Sequence, residues 1–274
     1  MMSRYSAGGR VPFRWICSVF TIMAFALPSV LPIGAAAQGA GNPPVFTPGL
    51  HELTLTRAGE PGIGYAISIP SSYSPFPSTP VPLILALHYG IGNQDSTGVG
   101  ADLVKGIIGP ALKELGAIIV APDSVRGNWS TSENEKAVNV LLDAVMAHYA
   151  IDKKRVAVTG YSMGGSGSWH VAEKFPERFS AVLPIASTPP ASALGWRLPV
   201  LAIQSRADTV VAFDPTAERI AELQKAGVNA RLIARTDIKH YEAGRFREPL
   251  REALPWLQEV WNLPIRLVAN PMRR

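Results

Sequence analysis

Short runs of apolar residues alternate with longer segments of helical periodicity over most of this chain. Residues 83–87 form a continuous apolar run, too short for a helix, that ends at His88-Tyr89-Gly90. Such runs are typical of strands that are buried on both faces of a parallel sheet. Residues 134–149 instead place their apolar side chains on one face of a helix. The alternation therefore predicts repeated strand–helix units.

The order of the predicted elements indicates a fold class. Residues 51–56 and 64–69 alternate in polarity around Pro61-Gly62 and predict an antiparallel hairpin at the start. Further strands are predicted at residues 83–87, 117–120, 155–159, 181–185, 200–204 and 231–234, and helices at residues 101–115, 134–149, 164–175, 216–225 and 251–261. This order predicts an α/β domain with a mostly parallel central sheet and helices on both faces.

The first 37 residues differ in composition from the rest. Three arginines precede an apolar run over residues 15–33, no acidic residue occurs, and the segment ends in Ala35-Ala36-Ala37. A basic flank, an apolar middle and small residues at the end predict a secretory signal peptide, and therefore a secreted or periplasmic protein. The alternative is an uncleaved membrane anchor, although Pro28 and Pro32 would weaken such a helix.

The chain after the predicted signal peptide divides into a linker and one domain. Residues 38–48 are rich in Gly, Pro and Ala and predict a linker, which leaves residues 49–274 as the folded domain. Removing the leader leaves 23 basic against 21 acidic residues, a net charge of +2 instead of +5. The basic residues are scattered, so no nucleic-acid partner is expected. Stable insertion into a membrane is not expected either once the leader is removed.

The side chains that bind metals are sparse in this sequence. Cys17, the single cysteine, lies in the predicted leader, so the mature chain has no disulfide. No Cys/His cluster and no H-E-x-x-H segment occurs in the sequence. Neither a metal nor a cofactor is therefore expected. The oligomeric state is left open.

The most informative segment is G-x-S-x-G at residues 160–164. It follows the predicted strand 155–159 directly, and a helix is predicted at once after it. A serine on such a sharp turn needs flanks without side chains, which Gly160 and Gly164 provide. The turn exposes the hydroxyl of Ser162 at a helix N-terminus, where negative charge is favoured. Ser162 is therefore predicted to be a nucleophile.

A serine nucleophile needs a base, and His240 is the candidate. The histidines are His51, His88, His148, His170 and His240, and in folds with this turn the base follows the nucleophile. His170 lies inside the helix that begins at the turn, which indicates a surface or packing role. His240 lies in a loop after the last predicted strand, the expected place for the base.

The base needs an orienting acid, and Asp208 is the favoured candidate. It follows the buried strand 200–204, at the carboxyl end where ligand sites of α/β sheets gather. Asp214, which also suits a helix cap, and Asp237, close to His240 in sequence, are the rivals. Asp208 itself also suits an Asx turn.

Backbone N–H groups near Ser162 are candidates for an oxyanion hole. Met163 N–H follows the nucleophile, and Tyr89 N–H lies in the loop after the first central strand, where Gly90 gives the backbone room to turn. Trp129 fits either an aromatic wall for a substrate or a partly buried loop anchor. His88 fits a structural residue beneath the site.

These residues carry a resemblance to a known family. The segments LILALHYGIGN, APDS with NW, DKKRVAVTGYSMGG, SRADTVV and KHYEAG resemble the esterase family of poly(3-hydroxybutyrate) depolymerases and feruloyl esterases, and also neighbouring phospholipase/carboxylesterase-type hydrolases. The resemblance covers residues 82–261 and implies an α/β-hydrolase fold, ester hydrolysis and no cofactor. The chain departs from the family at Tyr89, which separates His88 from Gly90, and at Lys239, where many members have glycine.

The function expected from the sequence is that of a serine esterase. It would act on a small or polymeric carboxylic ester, of a kind that feruloyl esterases or polyester depolymerases hydrolyse. A peptidase or a lipase on the same fold is the first alternative. A non-catalytic, polymer-binding protein on a hydrolase scaffold is the second. The sequence does not choose between aromatic esters, polyesters and small acetyl esters.

Overall fold

A single eight-stranded sheet forms the centre of the molecule. This computed structural model describes residues 44–76, 78–92 and 94–262. Its strands are β1 Gly49–Arg57, β2 Glu60–Ile69, β3 Val81–Leu87, β4 Ile118–Pro122, β5 Ile151–Tyr161, β6 Ala181–Ile185, β7 Val200–Ser205 and β8 Ala230–Arg235. Their order is β1-β2-β4-β3-β5-β6-β7-β8. β1 and β2 form the predicted hairpin, β2 pairs antiparallel with β4, and the pairs from β4 to β8 are parallel.

Helices cover both faces of this sheet. They are α1 Val99–Leu103, α2 Gly109–Leu112, α3 Ser132–His148, α4 Met163–Lys174, α5 Phe213–Lys225, α6 Arg247–Glu252 and α7 Leu254–Val260. Side chains of β3 alternate between two cores: Ile84 and Ala86 pack with α1, α2, α6 and α7, while Leu83, Leu85 and Leu87 pack with α3, α4 and α5. The predicted layer order is confirmed.

The helix predicted at residues 101–115 is present, but its hydrogen-bonding type changes along its length. α1 is followed by a π-helical segment, Val104–Ile108, then by α2 and a short 3₁₀ turn. Pro110 has no N–H to donate to the carbonyl of Gly106, four residues back. The guanidinium of Arg247 donates to that oxygen instead, at 2.7 and 3.2 Å. The predicted helix is confirmed, but its π-helical segment was not predicted, because the side chain that completes the interrupted turn comes from α6, far away in sequence.

Two other predictions differ in detail from the structure. The helix predicted at residues 251–261 is two helices, α6 and α7, that meet at Ala253, two residues before Pro255. Residues 44–48 of the predicted linker have no helix or strand, but Val45 exchanges hydrogen bonds with the hydroxyl of Tyr149 at 2.9 and 3.2 Å. The predicted signal peptide lies outside the described residues. Within the described ranges, no helix is both long and apolar enough to span a bilayer.

Candidate active site

Ser162 lies on the sharp turn between β5 and α4. Its φ of 58° and ψ of −119° are unusual for a residue with a side chain, and strain of this kind is common at functional sites. A Cβ on Gly164 would lie 1.8 Å from the carbonyl oxygen of Leu87, and one on Gly160 would lie 2.3 Å from the carbonyl oxygen of Gly164. The two glycines of the motif are therefore required by close backbone packing, which lets the turn expose Ser162.

Ser162, His240 and Asp208 form a chain of hydrogen bonds. Ser162 Oγ lies 2.9 Å from His240 Nε2, and His240 Nδ1 lies 2.7 Å from Asp208 Oδ2. The side chain of Asp208 is fully buried and that of His240 is 5% exposed. Because the carboxylate accepts at Nδ1, that nitrogen carries the proton and Nε2 is free to accept one from the serine hydroxyl. Chemically, the arrangement activates an alcohol as a nucleophile.

The second oxygen of Asp208 anchors its own loop. Oδ1 accepts the N–H groups of Val210 and Val211, each at 2.9 Å. The buried side chain of Gln204, at the end of β7, donates to the carbonyl of Val211 at 2.9 Å and accepts the N–H of Ser187 at 3.1 Å. Gln204 thus links the Asp208 loop to the loop after β6. Gln204 was not predicted from the sequence, although a polar side chain at the end of a buried strand was a visible signal.

The alternative candidates for the acid and the base lie away from this chain of hydrogen bonds. The side chain of Asp214 is 80% exposed and lies 3.7 Å from Arg206. Asp237 is also exposed and pairs with Arg245 at 2.5 Å. His170 pairs with Glu135 at 2.7 Å on the outer part of α4. The structure therefore brings together the three residues favoured from the sequence and leaves these rivals outside.

Tyr89 and Met163 are neighbours at the mouth of the site. A Cβ on Gly90 would lie 3.7 Å from Met163 Cβ and Sδ, so the loop after β3 abuts the start of α4. Met163 is the first residue of α4, and its N–H has no acceptor within the helix. Among the described residues, Tyr89 N–H donates to no other group. Neither N–H group therefore has a hydrogen-bond partner in the described part of the chain.

His88 locks the loop that carries Tyr89. It is fully buried; its Nε2 accepts the N–H of Ser124 at 3.0 Å, so Nδ1 donates to the carbonyl of Tyr89 at 2.7 Å. Burial lowers the pKa of His88 below its ordinary value, outweighing that hydrogen bond and the charge of Asp123. A neutral His88 therefore ties the loops after β3 and β4 together beneath the site.

Trp129 is 1% exposed, and its indole N–H donates to the carbonyl of His88 at 2.9 Å. Its Cβ lies 2.5 Å from the position of a Cβ on Gly167, which brings the loop against α4. This burial favours the loop-anchor alternative over an aromatic wall for substrate.

Tyr161, the residue before Ser162, contacts His240 directly. Its ring stacks on the imidazole, with centroids 5.5 Å apart and an interplanar angle of 27°, and its hydroxyl donates to the His240 carbonyl. The sequence analysis treated this position as the variable residue of the motif. Its aromatic character next to the nucleophile was the only signal, and it did not reveal a partner 79 residues away.

Two clefts border Met163, next to Ser162. The first encloses about 440 Å³ between α4, residues 128–130 and residues 188–190. The second encloses about 340 Å³ between the loop after β3 and residues 124–127. Within the described part of the chain, no group of three or more His, Cys, Asp or Glu side chains is arranged to hold a metal ion. The site thus combines a serine–histidine–aspartate chain with space for a substrate on two sides.

The fold agrees with the comparisons to solved structures. A serine hydrolase from Xanthomonas campestris, described as an α/β serine hydrolase without a lid, superimposes with a TM-score of 0.58. It is 21% identical, and the match covers 81% of this chain and 99% of that structure. The chain has the α/β-hydrolase fold.

Sequence comparisons define the class more closely. The Esterase family model matches residues 124–243, a range that includes Ser162, Asp208 and His240. A protein of Aspergillus niger named probable feruloyl esterase C is 27% identical over 203 residues, 72% of each chain. Feruloyl esterase C of Emericella nidulans is 29% identical over 166 residues, 59% of this chain and 57% of that protein. The chain is a carboxylic ester hydrolase with the α/β-hydrolase fold.

Proposed function

We propose that the protein is an exported serine esterase that forms an acyl-enzyme on Ser162. The observation that carries the proposal is the continuous hydrogen-bonded chain from Ser162 Oγ through His240 to the buried Asp208. Each member has the partner that its role requires. The hydroxyl of the nucleophile is hydrogen-bonded to the base, and the base is hydrogen-bonded to a carboxylate. Ser162 is partly exposed on its strained turn, which supports access of an ester carbonyl to the nucleophile.

The reaction proceeds in two steps. In the first, Oγ of Ser162 attacks the ester carbonyl as Nε2 of His240 takes its proton, and the proton then passes to the leaving alcohol as the ester C–O bond breaks. In the second, water attacks the acyl-enzyme, His240 takes a proton from the water and returns it to Ser162, and the acid leaves. Asp208 holds the tautomer of His240 and stabilises its charged form.

The N–H groups of Tyr89 and Met163 stabilise the oxyanion in both steps. Removing one donor of this type costs about 3–4 kcal/mol in the transition state. Trp129 contributes indirectly, because its bond to the His88 carbonyl holds the peptide that carries the Tyr89 N–H, and His88 holds the next peptide through the Tyr89 carbonyl. The relatives named feruloyl esterase C support an aromatic acid ester as the substrate, and a polyester is the second substrate class that the proposal includes.

The proposal is tested by hydrolysis of p-nitrophenyl acetate and butyrate, with a fluorophosphonate probe for the nucleophile. The wild type should hydrolyse both esters and be labelled, whereas Ser162→Ala should do neither. Ser132→Ala, at an exposed serine that begins α3 away from both clefts, is the matched control and should keep the labelling. A folded wild-type protein with neither turnover nor labelling would contradict the enzyme proposal and would support a non-catalytic binding protein. Faster hydrolysis of aminoacyl amides or of long-chain acyl esters would indicate a peptidase or a lipase.

Export requires its own experiment. We expect the mature protein to begin at Gln38, which N-terminal sequencing after expression in a Gram-negative host would show. The activity should then be found in the periplasm or the medium. An intact N-terminus in the membrane fraction would instead support the anchor.

A further inference from the structure

The cleft of about 440 Å³ runs along α4 away from Ser162. Its wall begins at Met163 and includes His170 and Glu173 further along the same helix. At 1.5 Å per residue, His170 lies about 10 Å and Glu173 about 15 Å from Met163 along the helix axis. A substrate whose ester bond lies at Ser162 reaches these side chains only with a group that extends well away from that bond.

His170 is held in one orientation by a carboxylate behind it. Its Nε2 lies 2.7 Å from Oε1 of Glu135, whose other oxygen lies 2.5 Å from Nζ of Lys174. Burial opposes ionisation of Glu135, but the bonds from Lys174 and His170 outweigh it, so the pKa of Glu135 is lowered. Because Nε2 of His170 faces Glu135 and bonds to it, Nδ1 is the ring nitrogen left for a ligand in the cleft.

The other side chains of the wall define which ligand fits. Neutral hydrogen-bonding groups come from Asn128, Ser130, Ser166 and Thr188, and an exposed carboxylate from Glu173. The lining residues include no lysine or arginine. An anionic group would therefore meet Glu173 without a cation to pair with, whereas a hydroxyl could donate to Glu173 or to Nδ1 of His170.

One further observation concerns Trp169, which also lines this cleft. It is 1% exposed, and in the described part of the chain its indole N–H has no hydrogen-bond partner. Buried donors without a partner are rare and costly in folded proteins. Because this N–H is buried, Trp169 contributes only apolar ring surface to the wall of the cleft.

We infer that this cleft is a subsite for a neutral, hydroxyl-bearing group of the ester substrate. His170 and Glu173 are its specificity-determining residues and act as acceptors for the hydroxyl. Glu135 is a positioning residue that sets the tautomer of His170. The subsite rests on the proposed function of Ser162, because it selects among esters that react there. The hydroxyl group belongs either to the acid or to the alcohol, since Met163 borders the cleft beside the ester bond.

Two matched pairs of esters separate these sources. Methyl p-coumarate and methyl cinnamate differ by one hydroxyl on the acid, whereas 6-hydroxyhexyl acetate and hexyl acetate differ by one hydroxyl on the alcohol. The quantity to measure is the ratio of kcat/KM within each pair, for the wild type, His170→Leu and Glu173→Gln. The control is His148→Leu, an exposed helix histidine whose Nδ1 lies 2.7 Å from the carbonyl oxygen of Ala144.

The wild type should prefer the hydroxylated ester of one pair by about 3- to 10-fold, as expected for one hydrogen bond of ordinary strength. That pair identifies which half of the ester occupies the cleft. His170→Leu and Glu173→Gln should each move the ratio toward one, and His148→Leu should not. Glu173 is exposed, so its variant keeps the test informative if His170→Leu does not fold. Equal rates within both pairs, or an unchanged preference in both cleft variants, would overturn the subsite. Failure of the proposed function would give a different result from failure of the subsite, because then no ester, including p-nitrophenyl acetate, would be hydrolysed.

Discussion

The phenol of Tyr161 holds His240 at two points, through its ring and through its hydroxyl. The ring stacks on the imidazole at 5.5 Å, and the hydroxyl donates to the carbonyl of the same residue. Burial, assisted by the nearby charge of Asp208, raises the pKa of Tyr161, so the hydroxyl stays protonated as a donor. Tyr161 is adjacent to Ser162 in the chain, and it therefore links the proposed nucleophile rigidly to its base.

We expect Tyr161→Phe to lower kcat about 3- to 10-fold with little change in KM, because one hydrogen bond of ordinary strength is lost and the ring stacking is kept. Steady-state kinetics with p-nitrophenyl butyrate would measure both constants. Tyr149→Phe is the matched control, since the Tyr149 hydroxyl also donates to a backbone carbonyl, that of Val45, at 2.9 Å.

Both Phe variants should lose a similar free energy of unfolding, about 1 kcal/mol. Only Tyr161→Phe should change kcat. If Tyr149→Phe slowed turnover equally, the effect would reflect general stability, and the positioning role of Tyr161 would be wrong.

The contrast between Tyr161 and Ser162 shows what the sequence could predict. Gly160, Ser162 and Gly164 form a local motif whose strand–turn–helix context is readable over about fifteen residues. His240 and Asp208 were found because the fold imposes a chain order on its site residues, and the structure brings both to Ser162.

The features that were missed depend on partners distant in sequence. The hydroxyl of Tyr161 bonds to a residue 79 positions away, and Arg247 completes a turn 141 positions away. No local pattern encodes such pairs, since each side chain alone also fits ordinary packing. The subsite of His170 was missed for the same reason, because its charge balance comes from Glu135, on a different helix.

Asp208→Asn should reduce kcat strongly. Oδ1 of Asp208 accepts two backbone N–H groups, so the amide oxygen of Asn would take that place and its NH₂ would face His240. Nδ1 of His240 would then have to accept, and its proton would move to Nε2, the atom that must take the proton of Ser162. The same substitution in a serine protease costs about 10⁴ in kcat, and we expect a loss of about 10²–10⁴ here.

Asp214→Asn is the control for this experiment, because the Asp214 side chain is 80% exposed and lies away from His240. It should retain full activity. Unchanged turnover of Asp208→Asn would contradict the role of Asp208, and a loss in Asp214→Asn would move the acid to that residue.

The stability of the protein should fall as the pH drops below about 6.5. Burial lowers the pKa of His88 from its ordinary value of 6.5 in the folded protein, while the unfolded chain keeps that value. Below pH 6.5 the unfolded chain therefore binds a proton that the folded protein does not, which favours unfolding. The contribution of His88 is complete above that pH and is lost as the pH falls toward the lowered pKa.

Urea unfolding at about pH 7.5 and about pH 5.5 would measure this dependence. His88→Gln, whose amide can still accept from Ser124 and donate to Tyr89, should flatten it. His51→Gln is the control, because His51 is half-exposed on β1. An equal pH dependence in the wild type and His88→Gln would exclude His88 as its source.

Gly164→Ala should be among the most damaging single substitutions in the domain. The added Cβ would lie 1.8 Å from the carbonyl oxygen of Leu87 and 2.4 Å from its carbonyl carbon, and backbone atoms of a central strand cannot move aside cheaply. We expect a loss of about 4 kcal/mol or more in the free energy of unfolding, or an insoluble protein.

The matched control is Gly106→Ala in the π-helical segment, where a Cβ would have no neighbour within 4 Å. That variant should unfold at the same or a slightly higher urea concentration, because alanine restricts the unfolded chain. A soluble Gly164→Ala protein with wild-type stability would mean that the approach of β3 to the turn at Ser162 is wrong, and with it the placement of Tyr89 beside Met163.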